Sequence, residues 1–340
     1  MRRTTIVAVV VASLAAGGAT VAAQAKQVVP MHTADVTKLV TQHVRAVRLE
    51  ADTAEVHLTT GPASRLHVHE EWNFYQPVLQ VTVSHGVLRI GLDCRQDVTV
   101  GGEVVVAGAS DLVNDCMEKV DLTVPASVPV TADTGNGAMT STGARGGLDL
   151  STASGDIAGK DARGGSVKLE SGQGAVTATD VVASAVELSS DAGDVTISNV
   201  RADAVTVRSG QGVVGASHIR AHNVQLSSDA GNVTGDGIDA PRVSLRSGQG
   251  SATLAASRST IANVSSDAGD VVAELDTLNV GLTATSGQGT VNVTVPTGRY
   301  DVSADSGQGT ATVNGLIVDT SVARYVHAHS DAGDVSVTGH

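Results

Sequence analysis

Several side chains in this sequence recur at spacings that could do chemistry. Asp191 with Asp194, Asp267 with Asp270, and Asp331 with Asp334 each put two carboxylates on one short turn, and Asp229 with Asn232 is a weaker copy. Calcium is the natural ion for such turns, but it takes six to eight oxygens. Turns carrying Gln alternate with these acidic ones and keep neighbouring carboxylates from sharing an ion, and the nine-residue calcium β-roll repeat is absent. The six aspartates are therefore read first as solvated residues of tight turns, with a calcium set as the alternative and no other cofactor expected. His67 with His69, and His327 with His329, lie two apart on strand-like segments, so each pair projects from one face. That spacing can begin a zinc site, yet no nearby Cys or third His completes one.

Other motifs fail on context. Gly210 to Gly215 matches the dinucleotide fingerprint, but a strand follows where the pyrophosphate needs a helix N-terminus. Gly155 to Lys160 is one residue short of a phosphate loop and lacks the following Ser or Thr, and no Gly-x-Ser-x-Gly elbow occurs. The outward residues Glu170, Arg208, Arg246 and Asp305 do not converge as a sugar-cleaving site requires. No catalytic residue is assigned and the chain is read as a non-enzyme, with a carbohydrate-active β-helix enzyme as the rival class.

The elements that carry these residues follow a period. A Ser-x-x-Gly turn recurs with glycines at Gly174, Gly193, Gly212, Gly231, Gly250, Gly269, Gly289, Gly309 and Gly333, in steps of 19 that drift to 20 and then 24. Weaker copies sit at Gly137 and Gly155. Such a period signals a stack of coils rather than one globular core. Apolar residues alternate with polar ones on both sides of each turn, which is the period of a strand. Inward columns run through Val176, Val195 and Val214 after the glycine and through Leu169, Leu188 and Val207 before it, with a short third side at Val181, Val200, Ile219 and Ile238. The serines share the inward parity and read as a hydroxyl ladder at the corner.

The expected fold is all-β: a single-stranded β-solenoid of about 19-residue coils stacked at ~4.8 Å, right-handed by the general crossover preference. Ser-Gly-Gln-Gly turns alternate with Ser-Asp-Ala-Gly turns, relieving a like-charge ladder, until two Gln turns follow one another at Gly289 and Gly309. The chain is divided as 1–25, a signal peptide; 26–130, an irregular N-terminal β cap; and 131–340, the repeat solenoid. The signal rests on Arg2 and Arg3, the apolar run Ile6 to Ala16, and Ala23-Gln24-Ala25 as a cleavage site; an uncleaved anchor is the alternative.

Export makes the location secreted or extracytoplasmic and associated with the cell envelope. In that setting the only two cysteines, Cys94 and Cys116, read as a disulfide, with two unpaired small hydrophobes as the alternative. A formal charge of -13 disfavours nucleic acid and anionic membranes as partners. Trp72, Phe74 and Tyr75 form the one aromatic cluster, either a plug over the solenoid end or an interaction patch. The partner expected is an unidentified envelope or surface component. At the other end, the rung of Val335 and Val337 lacks a visible cap, which suggests end-to-end self-association through that C-terminal rung.

The export signal, the lead-in Val120-Asp121-Leu122-Thr123-Val124-Pro125 and the serial Ser-Gly-x-Gly-x-Val turns together resemble the bacterial "putative adhesin" β-strand-repeat domains of unknown function, over residues 40 to 340. The resemblance implies an extracytoplasmic β-helical rod, a role in adhesion or envelope stress, and no catalytic residues. The reading is of an adhesin-like rigid spacer or interaction module, with a calcium-binding repeat protein as a further alternative.

Overall fold

A computed structural model describes residues 31–73, 76–94, 99–100, 103–104 and 116–340. The expected signal, residues 1–25, and Phe74 and Tyr75 lie outside the described residues. Among those described, all regular structure is β, and 26 strands join one sheet, apart from the hairpin β6 (Thr99–Val100) and β7 (Glu103–Val104).

The body of the stack is laid down in sequence order by β9 (Val130–Asn136), β10 (Met139–Thr142) and the strands β11 to β21 between residues 148 and 266. Each coil pairs parallel and in register with the next, so identical columns superpose. Val176, Val195, Val214, Val233, Ala252 and Val271 are successive partners. So are Leu169, Leu188, Val207, Leu226, Leu245 and Val264, and every member of both columns is at most 1% exposed. Full burial of a Val or Leu is worth ~1.5–3 kcal/mol, so narrow coils without aromatic residues still have a continuous core.

Two devices let the coils stack this closely. A Cβ at Gly174, Gly193, Gly212 or Gly231 would collide with the carbonyl oxygen of the matching glycine one coil below, so the recurring glycine answers a close backbone approach. The serine ladder then ties turn to turn. Ser171 Oγ donates to Gly155 O at 2.8 Å and accepts from Gly174 N at 2.8 Å, and Ser190, Ser209 and Ser228 repeat both bonds. The third side is entered through a left-handed residue at Asp180, Asn199, His218 and Gly237, before buried Val181, Val200, Ile219 and Ile238. Asp and Asn accept that conformation better than most side chains do.

At both ends the order in space departs from the order in sequence. β2 (Ala46–Thr60) is a complete coil lying beneath β9 and β10, and its other edge pairs with β5 (Val87–Asp93) and β8 (Cys116–Val124). The direction then reverses: β4 (Val78–Ser84) runs antiparallel on β5, β3 (Ser64–Trp72) antiparallel on β8, and β1 (His32–Val40) antiparallel on β3. Antiparallel strands cannot continue a parallel stack, and they cover its first edge.

At the far end, β22 (Val271–Ser286) and β23 (Val291–Val295) are followed in the chain by β24 (Arg299–Ser306), β25 (Ala311–Asn314) and β26 (Ile317–Val318). Yet β22 and β23 pair with the last strands, β27 (Tyr325–Ser330) and β28 (Val335–Gly339), and these in turn carry β24 and β25 on their other edge. The terminal rung is therefore built from residues 299–318 and not from Val335 and Val337, which are interior at 1% and 0% exposure. β26 folds back on the start of β24, and Leu316 packs against the core there.

Candidate functional site

The threading corrects the expectation that the turn alternation fails. Gly333 stacks on Gly289, and Gly309 stacks on Gly333. In space the Asp turn at 330–333 separates the two Gln turns that are neighbours in sequence. The Asp or Asn after the glycine explains why the order matters. Asp194, Asn232, Asp270 and Asp334 each accept, at 2.8 Å, the backbone N–H of the following coil's matching residue: Val213, Ser251, Thr290 and Thr310. Thr290 and Thr310 add hydroxyl donors at 3.0 Å, and the two bonds from Thr310 hold the Asp334 carboxyl below the usual carboxylate range. The acid of one coil brackets the next, which needs no acid of its own.

The remaining turn carboxylates have other surroundings. Asp267 receives two N–H bonds from Arg246 Nη2, at 2.9 and 3.2 Å, Asp331 faces His329 Nε2 at 2.9 Å, and Asp191 is exposed. Hydrogen bonding to Asp331, with Asp305 on the other ring nitrogen, raises the His329 pKa. His327 packs instead against the Tyr325 ring. Among the described residues no three His, Cys, Asp or Glu side chains stand where they could hold one metal ion.

The cap gathers most of the remaining chemistry. Cys94 and Cys116 are joined by a disulfide that closes the segment between β5 and β8. Two residues along β8, Glu118 points inward with Val120 and Leu122, opposite Glu70 on β3. Glu118 is 0% and Glu70 1% exposed, and neither oxygen of Glu118 has a hydrogen-bond partner. Gln76 donates to Glu70 at 3.2 Å. Burial, then repulsion from Glu70, Asp52 and Asp93, pushes the Glu118 carboxyl up to about 8, so it is largely protonated at neutral pH.

On the outer face of the same strands, His69 sets Nδ1 2.8 Å from Asp35 and Nε2 3.2 Å from Glu71, its ring N–H donating to the carboxylate, and His67 meets Thr37 at 3.0 Å. The bond to Asp35, then that to Glu71, raises the His69 pKa. Trp72 closes β3 half-buried and stacks on His32 at 5.8 Å between ring centres, outside the buried core.

Two features escape a reading of sequence alone, and each leaves a trace there. Glu70 and Glu118 share the inward parity of Leu66, Val68, Val120 and Leu122, so the alternation itself marks them as buried. The left-handed corner is visible as Asp180, Asn199, His218 and Gly237 repeating at 19 residues.

The chain matches the Toastrack DUF4097 family over residues 44–217 and again over residues 198–338. Among solved structures it is similar to a "putative adhesin" from Parabacteroides distasonis ATCC 8503 (12% identity, 91% of this chain and 97% of that one, TM-score 0.42). A "putative adhesin" from Bacteroides fragilis NCTC 9343 aligns at 14% identity over 91% and 97% of the two chains, with a TM-score of 0.27. A "putative cell adhesion protein" from Clostridium sporogenes ATCC 15579 aligns at 9% identity over 91% and 100%, with a TM-score of 0.20. No curated protein matches the chain.

Proposed function

We propose that this chain, which belongs to the Toastrack DUF4097 family, is an exported, non-enzymatic, adhesin-like rod that holds an interaction surface away from the cell envelope. The observation that carries this reading is the ladder of parallel coils, each tied to the next by strand pairing and by the serine hydroxyls, with a side-chain bracket from Asp or Asn at every second step. Such cross-linking in every coil makes a stiff spacer, because bending it would strain many short bonds at once. The disulfide at the cap suits an oxidising compartment outside the cytoplasm. The cap is the natural contact surface, since it departs from the repeat and carries Trp72, His32 and the His67, His69 and Asp35 network.

Cosedimentation of the purified chain with washed envelopes of the producing bacterium tests the interaction. The reading expects the chain in the pellet, and expects Trp72→Ala to lower the bound fraction at an unchanged melting temperature. Absence of the intact chain from the pellet would overturn it. Loss of melting temperature in Trp72→Ala, with binding kept, would make Trp72 part of the plug and move the contact elsewhere on the rod.

A further inference from the structure

The strand pair that follows β26 in the chain is held inside the stack. β27 and β28 fill a slot one coil high, bounded on one side by β22 and β23 and on the other by β24 and β25. Val326, Ala328, Ser330, Val335 and Val337 are all buried there, at 2% exposure or less. The slot is keyed: the Tyr325 ring lies where a side chain at Gly281 would go, and Ser330 Oγ donates to Gly289 O at 2.7 Å. It also requires an Asp turn, because it lies between two Gln turns, and residues 330–333 supply one.

Both walls of this slot come earlier in the chain than the strands that fill it. β26 leads into the filling strands through residues 319–324. We propose that this strand pair is exchangeable between two copies of the chain, the 325–339 segment of each filling the slot of the other to make a two-fold dimer joined at the C-terminal faces. The buried contacts are identical whether the segment arrives from its own chain or a second one, which is the condition under which swapping costs little.

Reach permits the exchange. Six residues span up to ~20 Å when extended, and crossing the partner's terminal rung to enter its slot requires about two strand spacings, ~10 Å. Within one chain the connection is pinned into a turn by Asp319, which accepts from Ser321 N at 3.0 Å, Ser321 Oγ at 2.6 Å and Arg299 at 3.2 Å. The exchanged form would also bring together the two terminal rungs, where Val313, Ile317 and Val318 are 37%, 58% and 54% exposed. Arg299 pairs with Asp319 at 3.2 Å there, and Arg324 lies over the Tyr300 ring, so the face carries charges of both signs. The inference stands whether or not the rod binds an envelope component.

The test is a cross-link across the slot wall. Thr283 and His327 are register partners on β22 and β27, and both face outward. Cα atoms of parallel partners lie within disulfide reach. A chain carrying Thr283→Cys and His327→Cys is refolded over a range of concentrations, oxidised, and run on a denaturing gel without reductant. Exchange predicts a covalent dimer whose share rises with concentration, and Asp319→Ala, which frees the hinge, should raise that share several-fold. Cross-linked monomer alone at every concentration would overturn the proposal, including under conditions where light scattering detects dimers. Absence of any cross-link would also overturn it, because β27 would then not lie beside β22.

Discussion

Replacing Glu118 by Gln should remove a pH dependence that the cap imposes on the whole chain. The wild-type carboxyl is buried, unpartnered and close to Glu70, Asp52 and Asp93, which together push it from its ordinary 4.5 to about 8. In the folded chain it therefore keeps its proton at pH values where the unfolded chain has lost it. Stability must fall as pH rises from about 4.5 to about 8, and level off above. At ~1.4 kcal/mol per pH unit the full loss has an upper bound of ~5 kcal/mol, and water entering the cap would reduce it. His69 and His329 also have raised values, and their contributions are likewise complete below the ordinary 6.5 and lost as pH climbs through the folded value. Comparing wild type with Glu118→Gln cancels those histidine contributions. Trp72 is the sole tryptophan and sits in the cap, so its fluorescence reports unfolding where the effect acts. In urea titrations from pH 5 to pH 9 the wild-type midpoint should drop more steeply towards pH 8 than the variant's, which keeps only the fall that the histidines cause. Midpoints that move in parallel across the range would refute the buried-carboxyl argument.

Three other outcomes follow from the stack. Ser209→Ala removes a donor to Gly193 O and an acceptor for Gly212 N, so urea unfolding should show a loss of ~1–3 kcal/mol. At Asp194, Asn should be tolerated because Asn232 makes the same bracket with its amide oxygen, whereas Ala should cost ~1 kcal/mol; adding calcium or a chelator should leave both melting curves in place. Reducing Cys94–Cys116 opens a loop with a sequence separation of 22 and should lower cap stability by ~3 kcal/mol, again followed through Trp72.

Much of the body was legible because one physical rule governs it. Residues that alternate at period two and recur every 19 positions superpose in a stack, so the columns through Val176 and Leu169 and the serine ladder could be placed before any coordinates. The threading of the ends was not, since a period says which coils are alike and nothing about which lie in contact. Its one trace was the pair of adjacent Gln turns at Gly289 and Gly309, which breaks the alternation in sequence but not in space. The role of the turn acids needed coordinates as well. Whether Asp194 faces an ion or the N–H of Val213 depends on a separation across coils, 19 residues away. In the cap, Glu70 and Glu118 carried the inward parity but broke the expectation that inward residues are apolar, and their meeting depends on an antiparallel pairing that no repeat announces.

The most direct test of an exported rod asks where its flank can be touched. Val182, on the third side of the coils, is 41% exposed, and the native cysteines are paired with each other. A full-length chain carrying Val182→Cys, expressed in a bacterium, is exposed to a thiol dye that cannot cross the cytoplasmic membrane. The account predicts labelling while that membrane is intact, on a chain that begins near Lys26. Labelling only after the cytoplasmic membrane is broken, on a chain that still begins at Met1, would contradict it.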